Sequence, residues 1–247
     1  MSNSEVQIEQ LIDEQLFQHY FQPIRQLSDL YTLGHEALMR SDHHYSPDQL
    51  FQAARSLGKM AHLDASSLDK AVRVFNSLLL SGKAAGNLFI NLFPSTIVTS
   101  GFLKIMEQLS KNIAEKTKVV IEINEFKDES DFWTDRNFLH RIAELKKIGY
   151  HIAIDDVGEG AATLKNIVEM EPDFIKLDKY FSKSLSASKK KQELVQFFAK
   201  FCRNNNIQMI LEGIETREDL TTAKEIGVSL GQGFYLGVPT DLNQYKI

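Results

Sequence analysis

Short apolar runs punctuate the chain, and most end in a polar residue. They fall at positions 20–24, 33–39, 88–92, 119–123, 152–155, 174–177, 208–211 and 230–236. Their length and their β-branched and aromatic content predict buried strands. Between most of them lie longer segments of helical period. Ser46-Pro47 predicts a helix start, with serine as the cap and proline at the first helical position. Positions 138, 139, 142, 145 and 148 are apolar and form one face of a helix that Gly149 stops. Another helix is predicted over 216–226, where Thr216 and Asp219 stand at capping-box spacing.

Strands alternating with helices predict an α/β fold with a mainly parallel sheet. About eight strands in 247 residues favour a TIM-like (β/α)8 barrel over an open sheet. The first two runs differ from the rest. Only a polar turn around Ser28-Asp29 separates them, too short for a crossover helix, so an antiparallel strand is predicted at the start. No linker, repeat or low-complexity run divides the chain. Residues 17–247 read as one domain, preceded by a helical extension over 1–16.

Composition narrows the chemistry. The formal net charge is -5, which gives no general field to attract a DNA or RNA duplex or an anionic membrane. An anionic substrate would need local positive charge. Cys202 is the only cysteine, so no disulfide framework or cysteine-rich zinc site is predicted, and a reducing cytoplasm fits. The polar N-terminus does not read as a signal peptide, and no apolar run is long enough for a membrane segment. Lys189, Lys190 and Lys191 read as a solvated face near a helix start. Trp133, Phe197, Phe198 and Phe201 read as helix packing positions, and Cys202 as an inert buried thiol. His43-His44 reads as a solvated turn, and His19, His35, His62, His140 and His151 receive no role.

The polar residues within or after the apolar runs carry the functional signal. They are Glu36, Asn91, Glu122, Asp155, Asp156, Lys176, Glu212 and Gln232. In a parallel barrel the C-terminal strand ends converge on one face, so residues far apart in sequence share a pocket. A single one of these reads as a structural ion pair or a hydrogen-bonded strand end. The set contains five acids against one lysine, a cluster that repels itself without cations. Carboxylates and an amide are hard oxygen donors, suited to Mg²⁺ or Mn²⁺. Two such ions can activate water and stabilise a leaving oxygen in phosphodiester hydrolysis.

These phrases together resemble the EAL domains, over nearly the whole chain. Glu36-Ala37-Leu38 stands inside HEALMR, and FINLFP, EINE, IDDVGEG, DFIKLD, LEGIET and GQGFYLGVP follow in order. The resemblance implies a metal-dependent phosphodiesterase that converts cyclic di-GMP to linear pGpG, in which water attacks phosphorus and a 3′ oxygen leaves. It implies Glu36, Asn91, Glu122 and Asp155 as ligands of one metal ion, with Asp155 bridging and Asp156 helping to hold a second. It implies that Lys176 orients the attacking water, that Glu212 serves as base or in the water network, and that Gln232 lines the site. Arg40 matches a substrate-phosphate contact, Glu125 a glutamate that steadies the loop after Asp156, and Glu215 a further glutamate of that loop region. A homodimer is also implied.

Several positions depart from the family pattern. Val157 replaces a common phenylalanine, Glu159 a small hydroxyl residue, Ala161-Ala162 an aromatic-plus-serine pair, and Phe93 a common serine, with only a local change expected at Phe93. In the family this loop couples the metal site to a dimer interface, so residues 157–162 bear on both coupling and turnover. The alternatives are a cyclic di-GMP receptor without turnover and a protein-interaction module. Gly158-Glu159-Gly160 imitates a dinucleotide-binding loop, but Thr163 stands at the third glycine position and two acids precede it.

Overall fold

The structure is a computed structural model and describes residues 3–41, 45–114, 117–124, 127–158 and 164–242. Helix α1 (Asn3–Asp13) leads into the hairpin β1 (Phe17–Gln26) and β2 (Thr32–Ser41). Two helices, α2 (Pro47–Ser56) and α3 (Met60–Leu80), carry the chain to β3 (Asn87–Leu92). The short α4 (Pro94–Ile97) and α5 (Phe102–Ser110) precede β4 (Val119–Ile123). A 3₁₀ segment, Lys127–Thr134, and α6 (Arg136–Ile148) lead to β5 (His151–Val157). Then come α7 (Leu164–Met170), β6 (Phe174–Leu177), α8 (Lys179–Ser182), a 3₁₀ turn (Leu185–Ala187), α9 (Lys189–Asn204), β7 (Gln208–Leu211), α10 (Arg217–Glu225) and β8 (Leu230–Gly231).

The eight strands close in sequence order into a barrel. β1 pairs antiparallel with both β2 and β8, and every other neighbouring pair is parallel. The TIM-like barrel with an antiparallel first strand is therefore the fold. The predicted helix starts also hold. Ser46 and Gln49 form a complete capping box on α2, and Gly149, at φ 110°, ends α6. On α10, Thr216 accepts from the Asp219 amide, but the Asp219 carboxylate accepts from the Thr216 hydroxyl and from Ser186 rather than from the cap's backbone.

Three apolar clusters hold the molecule. The largest lies between the outward faces of the strands and the helices. A second joins α1, through Ile8, Leu11 and Ile12, to Phe17, Met39, Leu50, Leu63 and Phe93. The third fills the barrel interior with Ile24, Phe89, Val120, Ala153, Phe174, Ile210 and Leu230. Seven strands thus each place one apolar side chain in one interior layer, the packed plug of a barrel of this kind.

Three sequence expectations need correction. The eighth strand was predicted over 230–236 but pairs only at Leu230–Gly231. A side chain at Gly233 would fall 2.3 Å from the Ile214 backbone, and the chain turns there instead of continuing the ladder. Phe197 is 56% exposed and lies outside the core, whereas Phe198, Trp133 and Cys202 are buried. Burial pushes the Cys202 thiol up to about 12, consistent with an inert group. Lys191 is not simply solvated: its Nζ donates to the carbonyls of Tyr180 and Lys183 and sits 4.2 Å from the Tyr180 ring centre.

Candidate active site

Side chains on a strand alternate faces, so a residue two positions on returns to the same face, one layer higher. This rule builds the site. Phe89 is followed by Asn91, Val120 by Glu122, Ala153 by Asp155, Phe174 by Lys176, Ile210 by Glu212 and Leu230 by Gln232. Each pair places an apolar side chain in the interior layer and a polar one above it. On antiparallel β1 the order reverses, and Gln22 stands two residues before Ile24. On β2 the lower position is Gly34, where a Cβ would lie 2.4 Å from the Asn87 carbonyl oxygen, and Glu36 stands above it. The polar layer sits at the C-terminal mouth of the barrel.

Lys176 is its centre. Its Nζ is 3.3 Å from Glu36, 3.0 Å from Glu122, 3.1 Å from Asp155 and 2.8 Å from Glu212. Burial alone would lower the lysine, but the four carboxylates outweigh it and hold its pKa well above the ordinary value. Glu36 also receives hydrogen bonds from Asn91 Nδ2 at 3.0 Å and Gln232 Nε2 at 2.7 Å. Burial raises its pKa, but the Lys176 charge and these amides prevail and hold it below the ordinary value. Glu122 is pushed well above its ordinary value by burial and then by Glu36, and Asp155 is also raised, by burial first. Burial is the main cause that lifts Glu212 to about 8.

Strand alternation would send Asp155 and Asp156 to opposite faces. A register shift between Ile154 and Val157 interrupts the β5–β6 ladder, and Asp156 takes a left-handed φ of 51°. That conformation is costly for a residue with a side chain and is held by its surroundings. It brings carboxylate oxygens of Asp155, Asp156 and Glu212 within 4.8 Å of one another. Just beyond, Gly158 at φ 110° leaves no room for a Cβ, which would meet the Phe181 ring at 2.4 Å.

Every described residue of the expected ligand set thus lies on this face. Arg40 lies at the edge, its guanidinium donating to the Met39 carbonyl and 5.7 Å from the Tyr20 ring centre. Glu215 is exposed. Glu125, His43-His44 and residues 159–162 of the altered loop lie outside the described residues. Gln22, not singled out from sequence, accepts from Gln232 at 3.1 Å and donates to the Gly237 carbonyl at 3.0 Å. Its alternation with Ile24 is visible in the sequence, but the reversed strand direction hides it.

The donor set fits divalent cations. One lysine faces four carboxylates, and Asp156 adds a fifth. Both Glu122 oxygens and Asp155 Oδ1 are buried and receive no directed hydrogen bond, although Lys176 reaches ion-pair distance. Buried carboxylate oxygens without donors are expensive, and hard cations satisfy them. Beside the cluster a pocket of about 240 Å³ is lined by Arg40, Asp48, Phe51, Asp64, Ser67 and Asn91, among others.

Fold and site together define a closed (β/α)8 barrel with a cluster of acidic side chains around one buried lysine at its C-terminal mouth. The EAL domain profile matches residues 5–239, and the chain belongs to that family. It is 26% identical over 248 residues to the cyclic di-GMP phosphodiesterase PdeB of Shewanella oneidensis, covering 97% of this chain and 28% of that protein. The chain thus spans about a third or less of the length of the curated relatives it matches, as also with NbdA of Pseudomonas aeruginosa at 30%. Among solved structures, the calcium and cyclic di-GMP complex of Klebsiella pneumoniae BlrP1 superposes with a TM-score of 0.78 at 27% identity, over 92% of this chain and 56% of that one. An EAL domain protein of Listeria monocytogenes shares the fold at a TM-score of 0.83 and 21% identity, over 99% of this chain and 96% of that one. Among the described residues, no helix is long and apolar enough to cross a membrane.

Proposed function

We propose that this chain hydrolyses cyclic di-GMP to linear pGpG at the barrel mouth, with Mg²⁺ or Mn²⁺, two ions per site. The carrying observation is the single buried lysine shared among four carboxylates, with oxygens of Glu122 and Asp155 at ion-pair distance from Lys176 but receiving no directed hydrogen bond. Glu36, Asn91, Glu122 and Asp155 would hold one ion, and Asp155 with Asp156 the other. Bound there, such ions supply Lewis acidity and a more acidic water. Lys176 Nζ orients the attacking water and screens the carboxylates from one another. Glu212, with its raised proton affinity, accepts the water's proton at a carboxylate oxygen. Gln232 holds Glu36 in place, and Arg40 binds a substrate phosphate. Glu125 and Glu215 steady the loop that follows Asp156.

The same reading places the protein in the cytoplasm and makes it a homodimer. Leu164 and Val168 support the dimer: they lie one helical turn apart on α7, 60% and 65% exposed, beside the loop that follows Asp156. The test is incubation with cyclic di-GMP and Mn²⁺ or Mg²⁺, with products followed by chromatography. Conversion to pGpG by the wild type and not by Glu36→Ala is the expected result. Metal-dependent binding without conversion would replace the enzyme by a receptor. Neither binding nor conversion would refute the cyclic di-GMP reading.

A further inference from the structure

The pocket beside the metal-binding cluster has a polar back wall that the reaction does not use. Ser67 on α3 lines it and is only 6% exposed. Behind Ser67 lies His19 on β1, 4% exposed, with Nε2 2.9 Å from the serine Oγ. The other ring nitrogen, Nδ1, is buried and has no hydrogen-bond partner. Burial, reinforced by Lys70, lowers the His19 pKa to about 3, so the ring is neutral and carries one proton.

Two arrangements satisfy the contact. In the first, Ser67 donates to Nε2, and the ring proton sits on Nδ1 as a buried donor without an acceptor. In the second, Nε2–H donates to Ser67 Oγ, and Nδ1 is a bare lone pair. Buried N–H groups without an acceptor are rarer in folded proteins than acceptors without a donor, which favours the second arrangement. The serine hydroxyl then receives its hydrogen bond from behind. Its proton has no other acceptor among the described residues and is left for the pocket.

We propose that Ser67, held by His19, is a specificity-determining residue that donates its hydroxyl proton to the O6 carbonyl of a guanine base seated in this pocket. This rests on cyclic di-GMP as the substrate. At about 240 Å³ the pocket is smaller than the roughly 300–1,000 Å³ of sites that take a whole ligand, so it receives one part of a dinucleotide. Arg40 and Asn91 line the same pocket, which places a phosphate toward the metal-binding cluster and a base toward α3. Asp64, three residues before Ser67, lines the pocket too, with Oδ2 occupied by the Phe93 amide and the Thr96 hydroxyl. A hydroxyl donor beside a carboxyl group complements the carbonyl and adjacent ring N–H of guanine. Adenine presents an amino group where guanine has O6. His19 is a positioning residue that acts through Ser67.

The experiment measures the Kd of cyclic di-GMP and of cyclic di-AMP by titration calorimetry with Ca²⁺, with chromatography checking that each dinucleotide stays intact, and KM and kcat for cyclic di-GMP with Mn²⁺. Ser67→Ala should weaken cyclic di-GMP binding and raise KM by about 3- to 10-fold, the loss of one neutral hydrogen bond. Binding of cyclic di-AMP should not follow, so the selectivity ratio falls by the same factor. His19→Leu should reproduce the effect, and His19→Gln, whose amide nitrogen can donate to Oγ, should restore it. Should His19→Leu fail to fold, Ser67→Ala decides. An unchanged Kd in Ser67→Ala, or equal weakening of both dinucleotides, overturns the proposal alone. If the wild type binds no cyclic di-GMP, the substrate reading falls and takes this proposal with it.

Discussion

Removing the central cation tests the electrostatic account most directly. Lys176→Met keeps an unbranched apolar stem, one atom shorter, and deletes the charge. Nζ lies 2.8–3.3 Å from four carboxylates. Unit charges ~3 Å apart attract by roughly 5 kcal/mol at an effective dielectric constant of ~20. Desolvation of the five groups cancels most of that sum. Breaking a buried ion pair by removing one partner costs ~3–5 kcal/mol, which in a protein of this size corresponds to a fall in Tm of about 6–20 °C. The deficit should depend on conditions. Glu122, Asp155 and Glu212 have raised folded-state pKa values, Glu212 at about 8. A carboxyl whose folded pKa is raised favours folding while protonated, and that contribution is lost as pH rises through the folded pKa. Without the lysine these pKa values rise further, so the deficit should be small at pH 6 and large at pH 9. Divalent cations bound at the proposed ligands Glu36, Glu122 and Asp155 would replace the missing charge, so Mn²⁺ should raise the Tm of Lys176→Met more than that of the wild type. Thermal denaturation in EDTA and in Mn²⁺ at both pH values is the assay. An unchanged Tm in EDTA, or a deficit equal in all four conditions, would refute the reasoning.

Three further substitutions probe the pocket wall and the residues packed behind it. Burial, against the opposing hydrogen bonds of Thr96 and the Phe93 amide, raises the Asp64 pKa to about 7. The folded protein therefore loses stability as pH climbs from the unfolded value near 4 to 7, by at most ~4 kcal/mol at ~1.4 kcal/mol per unit. Asp64→Asn should be more stable than the wild type at pH 8 and close to it at pH 4 by thermal denaturation, and a pH-independent difference would contradict this. Glu129 is buried and accepts from Arg55 at 2.8 Å and from both the amide and hydroxyl of Ser95. Arg55 in turn lies 5.8 Å from the Phe93 ring centre, and Phe93 packs edge-on against Phe51 of the pocket at 5.0 Å. Glu129→Ala should cost ~2–3 kcal/mol in urea unfolding, because the Ser95 amide is left unsatisfied, and Arg55→Ala, at a half-exposed position, should cost less. Equal costs would contradict the assignment.

What sequence reveals here is what strand alternation writes locally. In Val-Val-Ile-Glu-Ile of β4, Val120 and Glu122 share a face by period alone, and the same holds for Phe174 with Lys176 and Ile210 with Glu212. A polar residue at an interior position is visible wherever the strand runs in the common direction. It was missed at Gln22, where the antiparallel strand puts it before the interior Ile24 rather than after it. Asp156 joins the cluster against alternation, through a bulge and a left-handed φ that neither of the paired aspartates announces. Its place at the end of an apolar run marked it as a candidate, but periodicity alone sends it to the other face. Phe93 shows the opposite limit. Its ring joins the cluster that holds α1 and packs edge-on against Phe51, while its backbone amide donates to Asp64, and none of these partners is visible from the position's place in the sequence. His19 and Ser67 are 48 positions apart, and each reads as an ordinary packing residue. Their chemistry exists only once β1 and α3 close over the pocket. A contact of that kind leaves no period to detect, so it is harder to read from one sequence than the fold or the acidic layer at the barrel mouth.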